Sequence, residues 1–370
     1  MLILAAHLLL GACAVPLAAA GIYLLGLTLL SGRLPPRAPS QRRMRFDVLV
    51  PAHDEAATIA RVVASLRRLD WPAPNYRILV ICDNCSDGTA ALARAAGATV
   101  LERNDPTRRG KGYALQYGFA AACRGRADAV LVVDADSEVS TNALEACAAR
   151  IEHGADAVQL HYGVLNPQAS VRTRLMTLAY ACVHALRSRA RERLGLSCGI
   201  RGNGWCLTRA VLQRVPYRAW SLAEDVEYGL ELGLAGVRVH YADEAQVLGE
   251  MVSGERAARP QRRRWENGRA ALRRSHTRRL LQAAWRRRSA VCLDLALDLL
   301  LPPLSSVVLG VSGLMALSAA ATALEPSCAA WFWCGCGCAL ALVLYVARGW
   351  QLSGLGARGL ADLLRAPAFV

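Results

Sequence analysis

Long apolar segments at both ends of the chain limit what it can fold into more than any other feature. Residues 2–30 contain no Asp, Glu, Lys or Arg. About 20 apolar residues are enough for an α-helix to cross the hydrocarbon core of a bilayer. Residues 291–324 and 329–347 are also apolar, and the short connection Glu325-Pro326-Ser327 separates them. The sequence therefore predicts transmembrane helices at both ends, with a soluble part between them.

The charged residues beside these segments predict an orientation. The first segment is long for a cleavable signal peptide and no basic residues precede it, so we expect an anchor. Cleavage stays open as an alternative, because Ala18–Ala20 supply small residues. Arginines follow the first segment at once, and Arg286–Arg288 and Arg348 flank the C-terminal pair. Since cytoplasmic flanks are enriched in Arg and Lys, we expect a multi-pass protein of the inner (cytoplasmic) membrane with its soluble domain inside.

The chain divides accordingly into five predicted parts. Asp294 and Asp298 lie one helical turn apart, so we expect the start of the C-terminal apolar region at the membrane interface. Leucines alternate with arginines near the C-terminus, a pattern typical of an amphipathic helix lying on a membrane. The predicted parts are a transmembrane helix at 1–31, a soluble domain at 46–270, a basic interfacial helix at 271–290, two transmembrane helices at 291–347 and a cytoplasmic tail at 348–370.

The charge of the chain points to an anionic partner. Lys and Arg number 44 against 29 Asp and Glu, a formal net charge of +15. Such an excess is typical of chains that meet nucleic acid, a lipid surface or a phosphorylated substrate. Because the sequence has no basic patch interleaved with aromatic residues and no known nucleic-acid-binding module, we expect no nucleic-acid partner. Lys111 is the only lysine among the 44 cations, which draws attention to its position.

The central part of the chain alternates short apolar runs with helical patterns. Val48–Val50, Ile78–Ile81 and Val130–Val133 each end in polar residues and precede stretches rich in Ala, Leu and Arg. This alternation predicts an α/β domain with parallel strands and crossover helices. The 13 cysteines show no repeated metal-ligand spacing, so we expect them to be reduced, as in a cytoplasmic domain.

Carboxylates follow all three apolar runs. The runs end in Pro51-Ala52-His53-Asp54-Glu55, in Asp83 to Asp87 and in Asp134-Ala135-Asp136. Any one of these acids could be only a turn residue or a helix cap. Acidic residues at the ends of three successive strands, all at the ligand-binding edge of the sheet, indicate a ligand-binding site instead. Carboxylates that lie close together repel one another unless a cation is bound between them. Mg²⁺ and Mn²⁺ are typically held by one or two carboxylates together with a substrate phosphate, so these ions are the expected ligands.

The lone lysine lies in the segment Arg109-Gly110-Lys111-Gly112, between the second and third runs. Its glycine neighbours permit close approach of the backbone, and the lysine ammonium is a compact charge for a phosphate. The spacing is not that of a P-loop. A solvated turn is the plain alternative, but the retention of one lysine favours a phosphate contact.

Further motifs complete an ordered set with these residues. The set is Pro51 to Glu55, Asp83-x-x-Ser86-Asp87-Gly88-Thr89, Gly110-Lys111-Gly112, Asp134-x-Asp136, Gly202-Asn203-Gly204, Glu224-Asp225 and Gln261-Arg262-Arg263-Arg264-Trp265. With it the chain resembles the inverting family 2 glycosyltransferases, in the membrane-bound branch with a QxxRW motif that is related to polysaccharide synthases. The resemblance covers roughly residues 46–270. It implies a GT-A catalytic domain (Rossmann-like α/β, a mostly parallel sheet with flanking helices) in addition to the transmembrane helices at both ends.

On the donor side, the resemblance implies a UDP-sugar and a divalent metal ion. Glu55 and Asp83 would contact the uridine in a pocket shaped by Pro51, and Asp136 would hold Mg²⁺ or Mn²⁺. The other implied donor-binding residues are Asp87, Lys111, Asp134, Gln261 and Arg264. The basic run around Arg264 also fits a surface that faces anionic lipid.

On the acceptor side, the resemblance implies that Asp225, with Glu224 beside it, takes the proton from the acceptor hydroxyl. One carboxylate at that position suits an inverting single displacement. Acids at a helix N-terminus also favour the helix dipole, and both roles can hold together. Gly202 to Gly204, Asn203 included, and Trp265 would line the acceptor side.

The expected enzyme is a hexosyl or N-acetylhexosaminyl transferase of the EC 2.4 class. It would move a sugar from a UDP-sugar to a growing cell-surface polysaccharide in a β-linkage. The alternative is transfer of one sugar to a membrane lipid such as a ceramide, a diacylglycerol or a polyprenyl carrier. Three apolar segments are few for a chain that threads polymer through its own channel, so a homo-oligomer or a membrane partner subunit is expected.

Overall fold

An eight-stranded sheet forms the centre of the soluble domain. The computed structural model describes residues 2–365, without the side chains of residues 2, 255–258 and 260–262. The strands are β1 (Phe46–Ala52), β2 (Tyr76–Asp83), β3 (Thr99–Arg103), β4 (Ala129–Val132), β5 (Ser137–Val139), β6 (Ala157–Val164), β7 (Trp205–Thr208) and β8 (Val239–Gly249). They lie in the order β3-β2-β1-β4-β7-β6-β8-β5.

Helices surround the sheet and extend beyond it at both ends of the chain. They are α1 (Leu2–Leu29), α2 (Ile59–Leu66), α3 (Thr89–Ala95), α4 (Lys111–Arg124), α5 (Ala143–Ile151), α6 (Val171–Tyr180), α7 (Arg187–Arg193), α8 (Arg209–Arg214), α9 (Glu224–Leu234), α10 (Glu255–Arg287), α11 (Ala290–Leu300), α12 (Leu304–Leu324), α13 (Ala329–Ser353) and α14 (Gly356–Leu363). A π-helical segment, Ala181–Leu186, joins α6 to α7.

The sheet is mixed and mostly parallel, as expected for a GT-A domain. Strands β1 to β4 pair with one another in parallel, with Val48 of β1 opposite Ile78 of β2 and Leu131 of β4. Strand β7 is antiparallel between β4 and β6, and β5 is antiparallel to β8. The parallel half is the half whose carboxyl ends carry the predicted acidic residues.

Both faces of the sheet are covered, which explains the nearly continuous apolar runs in the sequence. Val48 and Val50 pack with α2, α3 and α5 on one face. Leu49 points the other way and packs with α4, α8 and α9. All three side chains are completely buried. The alternation along one strand therefore fixes two apolar layers and holds the strand ends in register.

Three helical segments in the described chain are long and apolar enough to cross a membrane: Ile3–Leu29, Leu304–Leu324 and Pro326–Ser353. They pack against one another, and Leu24 and Leu342 are buried in the cluster that they form. This feature suggests membrane association.

The C-terminal region differs from the expected division. The apolar run 291–324 is broken at Pro302-Pro303, because proline has no backbone N–H for the helical ladder. The spanning helix therefore starts at Leu304, and the preceding α11 packs on the soluble domain. Helix α10 runs unbroken through residue 270, where we expected a boundary. The tail forms α14, whose Asp362 pairs with Arg174 of α6, and residues 366–370 lie outside the described part.

Candidate active site

A cavity of about 840 Å³ lies at the carboxyl ends of β1, β2 and β4. Pro51, Asp83 and Asp134 line it from these three strand ends. Its other walls come from the start of α4, from residues 201–202, from the start of α9 and from α10. This is the edge at which ligands bind in sheets of this kind.

The structure brings most of the sequence-predicted site residues to this one cavity. Its lining includes Pro51, Glu55, Asp83, Lys111, Asp134, Asp136, Gly202, Glu224, Asp225, Arg264 and Trp265. Asn203 and Gly204 are buried behind the wall. Asp87 lies outside the lining, and the side chain of Gln261 lies outside the described residues.

Asn203 fixes the turn that carries the metal-site candidates. Its Oδ1 accepts a hydrogen bond of 3.0 Å from the backbone N–H of Asp134, and its Nδ2 donates one of 2.7 Å to Ser137 Oγ. The side chain is completely buried. Asn203 therefore organises the Asp134–Asp136 turn from behind rather than facing the cavity.

Asp136 is the candidate metal ligand that the structure leaves without a cationic partner among the described side chains. Ser137 Oγ donates to its Oδ1 at 3.2 Å. Burial, together with repulsion from Asp134 and Glu55, raises the pKa of Asp136 to about 6. Clustered carboxylate oxygens are the ligands that Mg²⁺ and Mn²⁺ prefer, so the residues present fit a divalent cation.

The start of α4 places Lys111 in the cavity. Gly110 has a φ of +118°, in the region that favours glycine. A Cβ on Gly112 would collide with the backbone carbonyl oxygen of Ala219. The two glycines thus have separate reasons to flank Lys111, a turn on one side and a close approach on the other.

Lys111 links the two sides of the cavity. Its Nζ lies 2.8 Å from Asp134 Oδ1, 2.8 Å from Asp225 Oδ2 and 2.8 Å from the carbonyl oxygen of Gly202. An ammonium group has three protons, so all three have partners here. Burial opposes the charge, but the two carboxylates outweigh it and raise the pKa of Lys111 above its ordinary value. We therefore describe Lys111 as a charged bridge.

Asp225 combines one anchored and one unpaired carboxylate oxygen. Oδ2 accepts from Lys111, whereas the buried Oδ1 has no hydrogen-bond partner among the described residues. A buried polar atom without a partner requires an explanation. Burial raises the pKa of Asp225 to about 7, with Glu224 and Asp134 adding to the effect and Lys111 opposing it. A carboxylate with this pKa and a free oxygen suits a general base.

Contacts on both sides hold the start of α9, where Asp225 lies. The rings of Tyr113 and Trp220 stack with centroids 5.9 Å apart and planes at 17°, which ties α4 to the loop before α9. Gly268 of α10 packs closely against Ala223, two residues before Asp225. The position of Asp225 therefore depends on three elements that meet around one loop.

Asp83, the last residue of β2, and Asp87, in the loop after it, make different contacts. Asp83 is buried, lines the cavity and forms an ion pair with Arg103. Asp87 accepts from the backbone N–H of Ala56 at 3.1 Å and from that of Thr89 at 3.0 Å. It therefore braces two loops beside the cavity and does not reach the cavity itself.

Sequence reasoning missed an aromatic wall opposite the acidic residues. The rings of Tyr162 and His184 stack with their centroids 5.2 Å apart, and the ring centroid of Tyr180 lies 4.4 Å from that of His184. Burial lowers the pKa of His184 to about 3, with Arg201 adding to the effect, so the imidazole is neutral. No motif marks these residues. Tyr162 is near the end of an apolar strand, which is the one signal that could have suggested it.

Comparisons with known proteins agree with this architecture. The mannosyltransferase PcManGT from Pyrobaculum calidifontis, solved with GDP-Man and Mn²⁺, superposes with a TM-score of 0.55 at 18% identity, covering 90% of this chain and 98% of that one. The probable glycosyltransferase YdaM of Bacillus subtilis is 23% identical over 235 residues, 60% of this chain and 55% of that protein. Beta-monoglucosyldiacylglycerol synthase of Trichormus variabilis is 27% identical over 228 residues, 60% of this chain and 48% of that protein. The chain thus spans about half the length of these two relatives.

The match to a protein family covers the domain that carries the cavity. Residues 43–268, more than half of the chain, fit the family described as "Glycosyltransferase like family 2". This range includes the strand ends, the Lys111 segment and the Glu224-Asp225 pair. The chain belongs to glycosyltransferase family 2.

Proposed function

We propose that this chain is a membrane-bound inverting glycosyltransferase of the QxxRW branch, which moves one sugar from a UDP-sugar to a hydroxyl of a membrane lipid in a β-linkage. The observation that carries the proposal is Asp225, which lines the same cavity as Asp134 and Asp136 and whose buried Oδ1 has no hydrogen-bond partner among the described residues. A base and an acidic metal-site candidate in one cavity are what sugar transfer from a nucleotide requires.

The donor would lie along the acidic strand ends. Glu55 and Asp83 would contact the uridine beside Pro51, and Arg264 would bind the diphosphate with two parallel hydrogen bonds. Asp136, with Asp134 beside it, would hold Mg²⁺ or Mn²⁺, which neutralises the diphosphate as a leaving group. The fold shared with PcManGT, solved with GDP-Man and Mn²⁺, supports a nucleotide sugar and a metal in this cavity.

The reaction would be a single displacement at the anomeric carbon. The acceptor oxygen attacks that carbon, the bond from the carbon to the diphosphate oxygen breaks, and UDP leaves with the electron pair. Asp225 Oδ1 takes the proton of the acceptor hydroxyl, while Lys111 holds Oδ2 in place. General-base catalysis of this kind contributes typically ~10²–10⁴-fold to the rate.

The connection between the cavity and the spanning helices supports a lipid acceptor. Tyr180, Val183 and His184 line the cavity from α6 and the π-helical segment. Cys182, in the same segment, packs closely against Gly349 of α13. Since one short segment forms both the cavity wall and a contact with a spanning helix, an acceptor in the bilayer would have a short path to Asp225. The similarity to a monoglucosyldiacylglycerol synthase, whose name states a lipid product, agrees with this choice.

A growing polysaccharide is the second candidate acceptor. Trp265 lines the cavity and is 37% exposed, so its indole could stack on a sugar ring of a longer chain. On either proposal the protein is a multi-pass protein of the inner membrane with a cytoplasmic active site. A homo-oligomer or a membrane partner subunit belongs with the polysaccharide candidate.

Product analysis tests the proposal. The purified protein in lipid nanodiscs is incubated with Mn²⁺, membrane lipid extract and, in turn, labelled UDP-glucose, UDP-N-acetylglucosamine, UDP-galactose and GDP-mannose. A lipid carrying one sugar, made from a UDP-sugar and absent with Asp225→Asn, is the expected product. Labelled chains of many sugars would instead favour the polysaccharide acceptor, and release of no nucleotide from any donor would contradict the transferase proposal.

A further inference from the structure

The end of the cavity nearest the spanning helices contains a cluster with more positive than negative charge. We name it the arginine cluster, and its members are Arg187, Arg191, Arg201 and Arg269. Asp298 lies at its centre, with Oδ1 at 2.9 Å from Arg191 Nη2 and Oδ2 at 3.3 Å from Arg201 Nη1. Asp294 Oδ2 accepts from Arg191 Nε at 2.7 Å. Among the described side chains, the cluster thus pairs four guanidinium groups with two carboxylates.

Two members of the arginine cluster, Arg201 and Arg269, line the cavity. Arg269 donates to the backbone carbonyl of Asp298, and no described carboxylate pairs with its guanidinium. Burial lowers the pKa of Arg269, while attraction to Asp298 opposes this effect and repulsion from Arg187 adds to it. Arg201 Nε is buried without a hydrogen-bond partner among the described residues. The cavity face of the cluster therefore has hydrogen-bond donors and positive charge in excess.

The backbone next to each cavity arginine lies near the proposed base. Arg201 directly precedes Gly202, where a Cβ would lie 3.9 Å from Asp225 Oδ2. Arg269 directly follows Gly268, which packs against Ala223 at the start of the helix that carries Asp225. A ligand that touches both arginines would therefore lie in the cavity that Asp225 also lines.

The opposite side of the arginine cluster contacts two spanning helices. Arg191 Nη2 donates to the hydroxyl of Tyr23 in α1 at 2.6 Å. Arg187 Nε donates to the hydroxyl of Tyr345 in α13 at 2.8 Å. The cluster thus connects two membrane helices with the wall of the cavity.

We propose that Arg201 and Arg269 bind a phosphate group of the acceptor lipid, next to the hydroxyl that Asp225 deprotonates. The inference rests on the proposed lipid acceptor and narrows it to a phosphate-bearing membrane lipid. Guanidinium groups bind phosphate oxygens with paired, charge-assisted hydrogen bonds. The donor diphosphate has its own candidate partners in Asp136 with its metal and in Arg264, so the two anionic groups would be held by different residues.

A binding measurement without donor tests this assignment. Dioctanoyl-phosphatidylglycerol, which carries a phosphate close to free hydroxyls, is titrated into the full-length protein in detergent and compared with dioctanoylglycerol. We expect the phospholipid to bind more tightly, and Arg269→Gln and Arg201→Gln to weaken it by roughly tenfold or more. Arg269→Lys keeps the charge and should restore part of the affinity. Arg273→Gln is the matched control, because Arg273 is exposed one turn further along α10 and does not line the cavity.

Three results would overturn the phosphate assignment. The first is that the unaltered protein binds the phospholipid no more tightly than dioctanoylglycerol. The second is that Arg269→Gln binds the phospholipid with the same affinity as the unaltered protein. The third is that glycerol 1-phosphate binds as tightly as the phospholipid, which would indicate a soluble phosphate ester as the ligand. UDP affinity and thermal unfolding, measured on each variant, confirm that the fold is retained. Nucleotide release from donor is measured in parallel. If that release is absent the proposed function fails, whereas intact release with arginine-independent lipid binding contradicts only the phosphate assignment.

Discussion

Lys111 Nζ lies 2.8 Å from Asp225 Oδ2 and equally far from Asp134 Oδ1, so one positive charge joins the proposed base to the proposed donor side. The lysine side chain is 25% exposed and that of Asp225 only 10%. The charge of Lys111 favours the ionised form of Asp225 and so opposes the larger effect of burial.

The rate of sugar transfer should depend on the ionisation of Asp225. Burial raises the pKa of Asp225 to about 7, and only its deprotonated form can accept a proton. We therefore expect kcat/KM to fall as the pH drops below about 7 and to level off above it. The measurement is the rate of UDP release from about pH 5 to about pH 9. A rate that is flat through this range would contradict the assignment of Asp225.

Replacement of Lys111 by Met should slow transfer and shift its pH dependence. The cation favours the ionised form of Asp225, so its loss should move the acid limb of the profile to higher pH. We expect a rate reduction of roughly tenfold or more, as for the loss of charged hydrogen bonds. Arg124→Met, at the exposed end of the same helix, serves as control. A reduced rate with an unmoved acid limb would assign Lys111 to the donor phosphate alone.

Gly112→Ala should displace the start of α4. The new Cβ would meet the carbonyl oxygen of Ala219, which is backbone and cannot rotate away. Overpacking of this kind costs typically ~1–3 kcal/mol of unfolding free energy. We expect a lower melting temperature and a lower transfer rate. Gly313→Ala is the control, because its Cβ would meet nothing within 4 Å; equal behaviour of the two variants would show that the close approach at Gly112 is unimportant.

Asp136→Asn should remove the response to divalent cations. The substitution keeps the size of the side chain but removes the charge that attracts Mg²⁺ or Mn²⁺. We expect transfer to fall by roughly 10²-fold, since a bound metal supplies several kcal/mol to the leaving diphosphate. Titration of Mn²⁺ after EDTA treatment checks this. Asp156→Asn, in an exposed ion pair with Arg214, should keep the full response. Restoration of the Asp136→Asn rate by ordinary Mn²⁺ concentrations would assign the metal elsewhere.

The sequence predicts the acidic edge of this cavity because the information for that edge is local. Asp83 and Asp134 directly follow apolar strands, and the strand order brings such ends together. Lys111 was marked by being the only lysine. The Pro302-Pro303 pair was also visible and could have placed the start of the last apolar hairpin correctly.

The membrane side of the site could not be predicted in the same way. Arg201 and Arg269 are 68 positions apart by their numbers, and only the packing of α10 on the start of α9 brings both to one cavity. In a sequence so rich in arginine, no pattern separates these two from the solvated majority. His184 is marked by no motif, since its role depends on a ring stack with Tyr162 across the fold.

The most direct test of the account compares UDP release by the unaltered protein and by Asp225→Asn at pH 8, with UDP affinity measured on both. We expect that, in the presence of acceptor, UDP release by Asp225→Asn is ~10²–10⁴-fold slower than by the unaltered protein, while the affinity for UDP stays nearly unchanged. Asp70→Asn, in an exposed ion pair with Arg42, should retain full release. Release by Asp225→Asn at the rate of the unaltered protein would contradict the central claim that Asp225 is the base of a sugar transfer.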